Sequence, residues 1–558
     1  MMHAITIILS ALVLCSGLDN NPIRNTKYGK IRGRVTTRLP GTEVEEFLGV
    51  PYAAPPIKAL RFKRPTDPTQ WDGIKNTTRV PPACPQASWF YLSTHKPNFQ
   101  FSNEDCLFMN IFVPRVKEKS LPVLLYIHGG SNRVGMGAMF DGDILSAYGK
   151  IVVVNFNYRL GVLGFYADRS KGIEGNLGLL DQVKAMEWVQ KNIHFFNGDP
   201  TKVTIHGHSA GAGNVGLHLV SDLTKGLFRY AIVHSGSPLA FWGVSDCIPT
   251  MKNKTVAEDC QQGSSHLVES LKSEDPMSEP VNTHFLTSTG EKTPFNLVPF
   301  RPVLDGHYLT DIPDKMFQCN QVHAESVLMA MAKDEFFPKY SDTKYQRASD
   351  EHFDFDGLFT EDEADTIEKV YEEWKKNNIS QYPHYAQMGS DLIFFAPMVK
   401  LADLISEWMK RVYMLSFEYV SQNLTGPQWQ GIPHGWDLFY VFGAPLVGHS
   451  HHVYTPRDVQ VSKTTMKLFS NYVKYGYLSV DGKHQLDIYN STTKSFYKLH
   501  YQNGKPVVSA EYNFRKPRID FWNKYLFSKE PFTCNEACYV DLRIHFCICC
   551  LIAVYLFN

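Results

Sequence analysis

The chain carries no surplus of either charge: lysine plus arginine and aspartate plus glutamate number 56 each over 558 residues. That balance argues against a nucleic-acid partner and against a field that would steer the protein to a membrane surface. Repeats and low-complexity linkers are lacking between Leu18 and about Ser528, and zinc-type ligand spacings are lacking too. The apolar runs at the two ends both fall short of the ~20 residues a spanning helix needs. What is present is an ordinary globular balance, 44% hydrophobic and 20% charged, with ample material for a core.

Residues 1–17 read as a secretory signal. Ala4–Cys15 is a largely apolar run closed by the small residues Ser16 and Gly17, although the n-region has only His3 and no lysine or arginine. A buried N-terminal helix is the alternative. Five N-x-S/T sequons, at Asn76, Asn253, Asn378, Asn423 and Asn490, agree with export. Residues 534–558 form a tail whose end, Ile544–Asn558, is mostly apolar. With Asn535-Glu536-Ala537 as attachment triplet it suits a removed GPI signal. Cys547, Cys549 and Cys550 suit another membrane anchor instead, and a docked or disordered tail is the third reading.

Between these ends, Leu121–Gly130 and Lys150–Phe165 are β-branched runs of the kind strands buried on both faces require. Asn176–Ile193 follows with helical spacing of apolar residues, then a strand over "TKVTIHG" and another within Gly226–Ser237. This alternation predicts an α/β fold, a large mostly parallel sheet with helices on both faces, in one domain over 18–533. The polar stretches 246–293 and 338–373 read as insertions over or beside the sheet.

Where the strand "VTIHG" gives way to a helical pattern, the chain reads Gly207-His208-Ser209-Ala210-Gly211. A serine hydroxyl is a poor nucleophile until a base takes its proton. G-x-S-x-G on a strand-to-helix turn pushes the serine out at the top of a sheet, and the glycines avoid Cβ clashes with the adjoining strand and helix. The strand Leu121–Gly130 ends in a second glycine-rich turn, His128-Gly129-Gly130-Ser131. Its N–H groups, with that of Ala210, are the candidate oxyanion donors.

These motifs, with "FNGDPTKVTIHGHSAG" (Phe196–Gly211), "EDCLFMNIF" (Glu104–Phe112), "NYRLGVLGF", "GNLGLLDQ" and "PVLDG", resemble the type-B carboxylesterase and cholinesterase family of the α/β-hydrolase fold. The resemblance runs from about Tyr28 to about Tyr525. It implies a Ser–Glu–His triad: Ser209, Glu335 in "AMAKDEFF", where Phe336 takes the place of a usual glycine, and His434 in "IPHGWDLFYVFG". The blander alternatives are a surface carboxylate beside Asp334 and a structural loop histidine. His206 and His208 are poorer bases, being fixed on the strand and elbow beside the serine. The implied function is hydrolysis of a small-molecule carboxylic ester through an acyl-enzyme, with no metal or redox cofactor.

Two departures bear on the site. Ser131 replaces the third glycine of the family's oxyanion turn, and His208 replaces the glutamate that usually precedes the nucleophile, removing a negative charge near the base. No tryptophan stands in "HKPN" (His95–Asn98) where cholinesterases stack choline, although Trp89 and Phe90 could line the same loop. Lys96 would repel that cation. The acyl-side stretch holds Phe295 and Phe300 with Asn296 and Val298 between, which suggests a pocket less crowded by aromatics than an acetyl-selective one.

The resemblance further implies a disulfide between Cys84 and Cys106 and ion pairs Arg61–Glu104 and Arg159–Asp181. It places Cys260 in a second bridge whose usual partner position is Ser270 here, so Cys247, the nearest substitute, is assigned as its partner, and Cys319 is read as free and buried. The rival functions are a cholinesterase, a lipase, and an adhesion protein like the neuroligins, in which the serine is lost.

Overall fold

Successive residues of the central strands enter opposite hydrophobic cores. Val123, Leu125 and Ile127 join one with Val203, Ile205, Val233 and Met329, while Leu124 and Tyr126 join the other with Ile232, Leu328 and Leu415. Side chains alternate across a strand, so a strand apolar at every position must be covered on both sides. The computed structural model describes residues 21–86, 96, 99, 101–168, 172–245, 301–319, 322–336, 366–367, 369–371, 387–424, 431–448 and 452–527.

A small sheet joins β1 (Ile23–Asn25), β2 (Lys30–Arg32) and β5 (Ile74–Asn76). The large sheet has eleven strands: β3 (Arg34–Thr36), β4 (Val44–Pro51), β6 (Phe108–Pro114), β7 (Leu121–Ile127), β8 (Val152–Phe156), β9 (Gly198–His208), β10 (Tyr230–His234), β11 (Ser326–Ala332), β12 (Val412–Phe417), β13 (Phe496–Gln502) and β14 (Lys505–Glu511). Their order is β14-β13-β12-β11-β10-β9-β7-β8-β6-β4-β3. The run from β8 to β13 is parallel throughout, with antiparallel strands added at both edges. Helices Leu177–Asn192, Ala210–His218 and Ala396–Ser406 contribute to the first core; Asp143–Gly149 and Pro456–Tyr475 contribute to the second. The expected α/β-hydrolase architecture is present.

Helix Pro456–Tyr475 shows how local sequence sets an element. Thr455 and Asp458 form a reciprocal capping box: the Thr455 hydroxyl accepts the Asp458 N–H, and the Asp458 carboxylate accepts the Thr455 N–H at 2.7 Å. Pro456 takes the first helical position. Gly476, at φ 67°, ends the helix where a Cβ would lie 2.3 Å from the Tyr230 ring.

The run Lys150–Phe165 is strand only over Val152–Phe156. At Asn157 side-chain hydrogen bonds take over: its amide donates to the carbonyls of Pro82 and Cys106, and its oxygen accepts the Gly137 N–H at 2.8 Å. Gly161, at φ 54°, then opens a short helix, Gly161–Phe165.

Cys84 and Cys106 are disulfide-bonded, closing the loop before Leu107. Cys319, expected free and buried, is instead disulfide-bonded and half-buried; its partner lies outside the described residues. Also outside them are the signal at 1–17, the insertion at 246–293, nearly all of 338–373, the tail at 534–558, Cys247, Cys260, Asn253 and Asn378. Both implied ion pairs form. Arg61 meets Glu104 through two bonds of 2.6 Å, and Arg159 meets Asp181 at 2.8 and 2.7 Å with both side chains buried. Among the described residues, no helix is long and apolar enough to cross a membrane.

Candidate active site

The site forms at the carboxyl ends of β7, β9, β10 and β11. From β7 the chain crosses to β8 on one side and to β9 on the other, so the ends of β7 and β9 border the crevice where the strand order reverses. Ser209 follows β9 directly, with φ 58° and ψ −125°, a backbone conformation that costs of the order of 1–3 kcal/mol. Its own N–H donates to the His234 carbonyl at 2.9 Å, and helix Ala210–His218 starts at once.

The flanking glycines are required. A Cβ on Gly207 would lie 2.0 Å from the Gly211 oxygen, and one on Gly211 would lie 2.3 Å from the Ile127 oxygen. The strand and helix of the elbow, and the end of β7 beside it, can approach this closely only without side chains. Gly236 is held likewise, its absent Cβ falling 2.3 Å from the Ser209 oxygen. Ser209 itself remains half-exposed.

The turn Gly129-Gly130-Ser131 lies against the elbow. Its shape is fixed by the N–H groups of Arg133 and Val134, both donating to the Gly130 carbonyl at 3.0 Å. Asn132, buried beneath, accepts from Asn214 and Tyr158 through its side chain and from the Gly161 N–H through its carbonyl. Gln86 and Gly135 exchange two further hydrogen bonds, of 2.8 and 2.9 Å. Among the described residues nothing accepts a hydrogen bond from the N–H of Gly129, Gly130 or Ala210. Ser131 adopts φ 56°, so its N–H stays within the turn although it carries a side chain. His128 is stacked on Tyr158 and buried; burial pushes its imidazole down to about 4, so it stays neutral beneath the turn.

Glu335 is no surface carboxylate. It is buried, and its oxygens accept three hydrogen bonds: from His434 Nδ1 at 2.7 Å, from Ser235 Oγ at 2.5 Å and from the Ala332 N–H at 2.8 Å. Its neighbour Asp334 ties down the loop that carries His434. The Asp334 N–H donates to the Ile432 carbonyl, its carboxylate accepts the Ile432 N–H, and a Cβ on Gly431 would lie 1.9 Å from that carboxylate. Among the described residues no hydrogen bond reaches His434 Nε2, which is buried. The imidazole–carboxylate half of the expected constellation is thus a hydrogen bond, whereas Ser209 and His434 are not bonded to each other. Catalytic hydrogen bonds are often long without substrate.

Behind the elbow, His206 Nε2 lies 3.1 Å from His234 Nδ1, and His234 Nε2 lies 2.6 Å from an oxygen of the buried Asp437. Burial, then His234, hold the His206 imidazole well below its usual range. His208 turns its ring to His434, with centroids 4.5 Å apart. His206 is therefore bound away from the serine, and His208 is a neighbour of the base. Sequence reading missed Ser235, His234 and Asp437. The serine follows β10 in "HSGSP" as Ser209 follows β9, and that parallel was the available signal.

Lys96 differs from its expected role. Its Nζ is paired with Asp141 at 2.6 Å, and Asp141 also receives Arg38, so its charge is compensated and does not stand free to repel a choline group. Burial raises the Asp141 carboxyl, but Lys96 and Arg38 outweigh it and hold the group below the usual range. Trp89, Phe90, His95, Phe295, Asn296, Val298 and Phe300 lie outside the described residues. Among the described residues no group of three or more histidine, cysteine or acidic side chains could hold a metal.

Sheet order, elbow and glycine turn define an α/β-hydrolase. A sequence model described as the Carboxylesterase family matches residues 20–522. The chain is 30% identical to Cholinesterase of Mus musculus over 572 residues, 93% of this chain and 90% of that protein. It is 32% identical to Neuroligin-2 of Mus musculus over 524 residues, 82% of this chain and 61% of that protein, and so spans less than two thirds of the neuroligin. Neuroligin-3 of Mus musculus is similar at 31% over 527 residues, 84% of this chain and 63% of that protein. The chain belongs to the carboxylesterase family.

Proposed function

We propose that the protein is a serine carboxylic-ester hydrolase, with Ser209 as nucleophile, His434 as general base and acid, and Glu335 as the orienting carboxylate. The observation that carries this reading is the buried Glu335 accepting from His434 Nδ1 at 2.7 Å while, among the described residues, His434 Nε2 is buried without a partner and the ring packs on His208, the residue before the serine of the strained turn. A carboxylate on Nδ1 fixes the tautomer whose Nε2 lone pair can accept a proton.

Ser209 Oγ attacks the ester carbonyl carbon as its proton passes to His434 Nε2. The carbonyl oxygen becomes an oxyanion, facing the N–H groups of Gly129, Gly130, Ser131 and Ala210. The carbon–oxygen bond to the alcohol then breaks, and the imidazolium returns its proton to the leaving alcohol. Water, deprotonated by His434, attacks the acyl-enzyme; Ser209 Oγ leaves with the proton, and the carboxylic acid departs. Losing one oxyanion donor costs about 3 kcal/mol of barrier.

We further propose export through residues 1–17, a single hydrolase domain over 18–533 and attachment to the outer surface through 534–558. Asn76, Asn423 and Asn490 are exposed and suit glycan attachment. The similarity to neuroligins favours a second reading, a cell-surface binding protein that keeps a hydrolase fold. One experiment separates the two: hydrolysis of a nitrophenyl ester panel, with and without an organophosphate, by the wild type and Ser209→Ala. Esterase activity lost in the variant and blocked by the organophosphate is expected. Activity retained by Ser209→Ala overturns the nucleophile assignment, and no activity in the wild type moves the reading to binding.

A further inference from the structure

Two rings pack on the His434 imidazole. One is His208; the other is Phe394, with centroids 4.6 Å apart and planes 35° apart. Phe394 comes from Asp391–Phe395, a π-helical turn directly before helix Ala396–Ser406. Such turns are rare, and they occur frequently at functional sites.

The surroundings hold this turn in place. The fully buried Asp391 carboxylate accepts from Tyr371 at 2.8 Å and lies 3.3 Å from Arg515 and 3.0 Å from Arg518. The Ile393 carbonyl accepts from the Trp242 indole at 3.1 Å. Phe336 packs so tightly on Gly389, just upstream, that a Cβ there would lie 2.4 Å from its ring. Contacts before, within and beyond the turn together set Phe394 on the imidazole.

We propose that Phe394 is a positioning residue for His434, presenting its ring to the imidazole so that the protonated base is favoured over the neutral one. The inference rests on the hydrolase reading for its consequence in turnover. A phenyl ring attracts a cation through its quadrupole and does little for a neutral imidazole beyond packing. Among the described residues the titratable groups facing His434 are Glu335 from the end of β11 and His208 from β9, with His234 and Asp437 beyond His208. A neutral His208 ring offers a weaker π face than phenyl at a similar distance and repels the imidazolium if charged, so among the described residues Glu335 and Phe394 are the main supports of the charged base.

The experiment compares the full-length wild type with Phe394→Leu and Phe394→Tyr. Leucine keeps the site apolar and removes the ring; tyrosine restores it. The titration of His434 is followed by NMR of ring-labelled histidine, assigned with His434→Gln, so that this readout does not depend on turnover. The expected result is a midpoint lowered by about half a unit in Phe394→Leu and regained in Phe394→Tyr. With a nitrophenyl ester, kcat falls by up to about threefold in Phe394→Leu with KM little changed, and the acidic limb of kcat/KM moves with the midpoint. An unmoved midpoint in a folded Phe394→Leu protein overturns the proposal. So does a change in KM alone that varies with acyl length, since that marks a pocket wall. If the midpoint moves in a protein with no Ser209-dependent hydrolysis, the contact stands and the hydrolase reading fails.

Discussion

Gly129 and Ser209 meet across the ends of β7 and β9 so closely that a Cβ on Gly129 would lie 2.8 Å from the Ser209 Cβ and 2.6 Å from the His208 oxygen. Any side chain at 129 must push the glycine turn away from the elbow. Gly129→Ala is expected to lower kcat by about 10²–10³ with a smaller effect on KM, as expected when an oxyanion donor is displaced. Steady-state kinetics on a nitrophenyl ester checks it, and an unchanged kcat would remove Gly129 from the site.

Glu335 is satisfied by three donors, of which only His434 is part of the proposed chemistry. Glu335→Gln keeps the shape but presents an amide to Nδ1, and kcat is expected to fall by roughly 10⁴ as the tautomer preference is lost. Ser235→Ala removes one neutral donor and leaves the other two, so a much smaller loss is expected. Parallel kinetics of the two variants would show whether the carboxylate orients the base or merely fills a buried space.

Three buried imidazoles make stability depend on pH. Burial holds His128 at about 4 and His218 at about 3, and pushes His206 well below its usual value. His218 is satisfied as a neutral ring between Gln182 and the Tyr308 hydroxyl. A histidine depressed in the folded state binds its proton more readily when unfolded. Its stabilising effect is therefore complete above about 6.5 and declines as pH falls from there toward the folded value. Each such group costs about 2 kcal/mol at pH 5 relative to pH 7. Thermal melts should show Tm falling between those values, and His218→Gln should flatten the fall.

The Arg159–Asp181 pair is buried on both sides, whereas Arg64–Glu174 is about half exposed on both. Asp181→Ala leaves a guanidinium in the core and is expected to cost about 3–5 kcal/mol. Glu174→Ala should cost less than about 1 kcal/mol. Chemical denaturation of both variants tests the difference, and equal effects would contradict it.

Much of the fold was legible because β7, β8 and β10 are apolar at consecutive positions, a pattern that two-sided burial explains. The elbow was legible for a related reason: its glycines answer to backbone contacts of 2.0 and 2.3 Å that tolerate no Cβ. The hairpin of β13 and β14 was not read, although Asn503 and Gly504, both at positive φ, make the two-residue turn such a hairpin favours. The end of β8 at Phe156 was hidden because the apolar run continues past it; the side chain of Asn157, not a change in hydrophobicity, stops the strand. Phe394 left no trace in sequence. Its contact with His434 depends on a single widened helical turn, held by Tyr371, Arg515 and Arg518 from distant parts of the chain.

That widened turn also sets where the protein can be cut. Among the described residues, two of the three groups that satisfy the Asp391 carboxylate, Arg515 and Arg518, stand at the start of the last helix, Lys516–Leu526. A protease or an engineered stop that removes this helix strips counter-charges from an anion sealed in the interior, at a cost of about 3–5 kcal/mol, that of breaking a buried ion pair. A truncated form that keeps this structure is therefore one severed after Leu526.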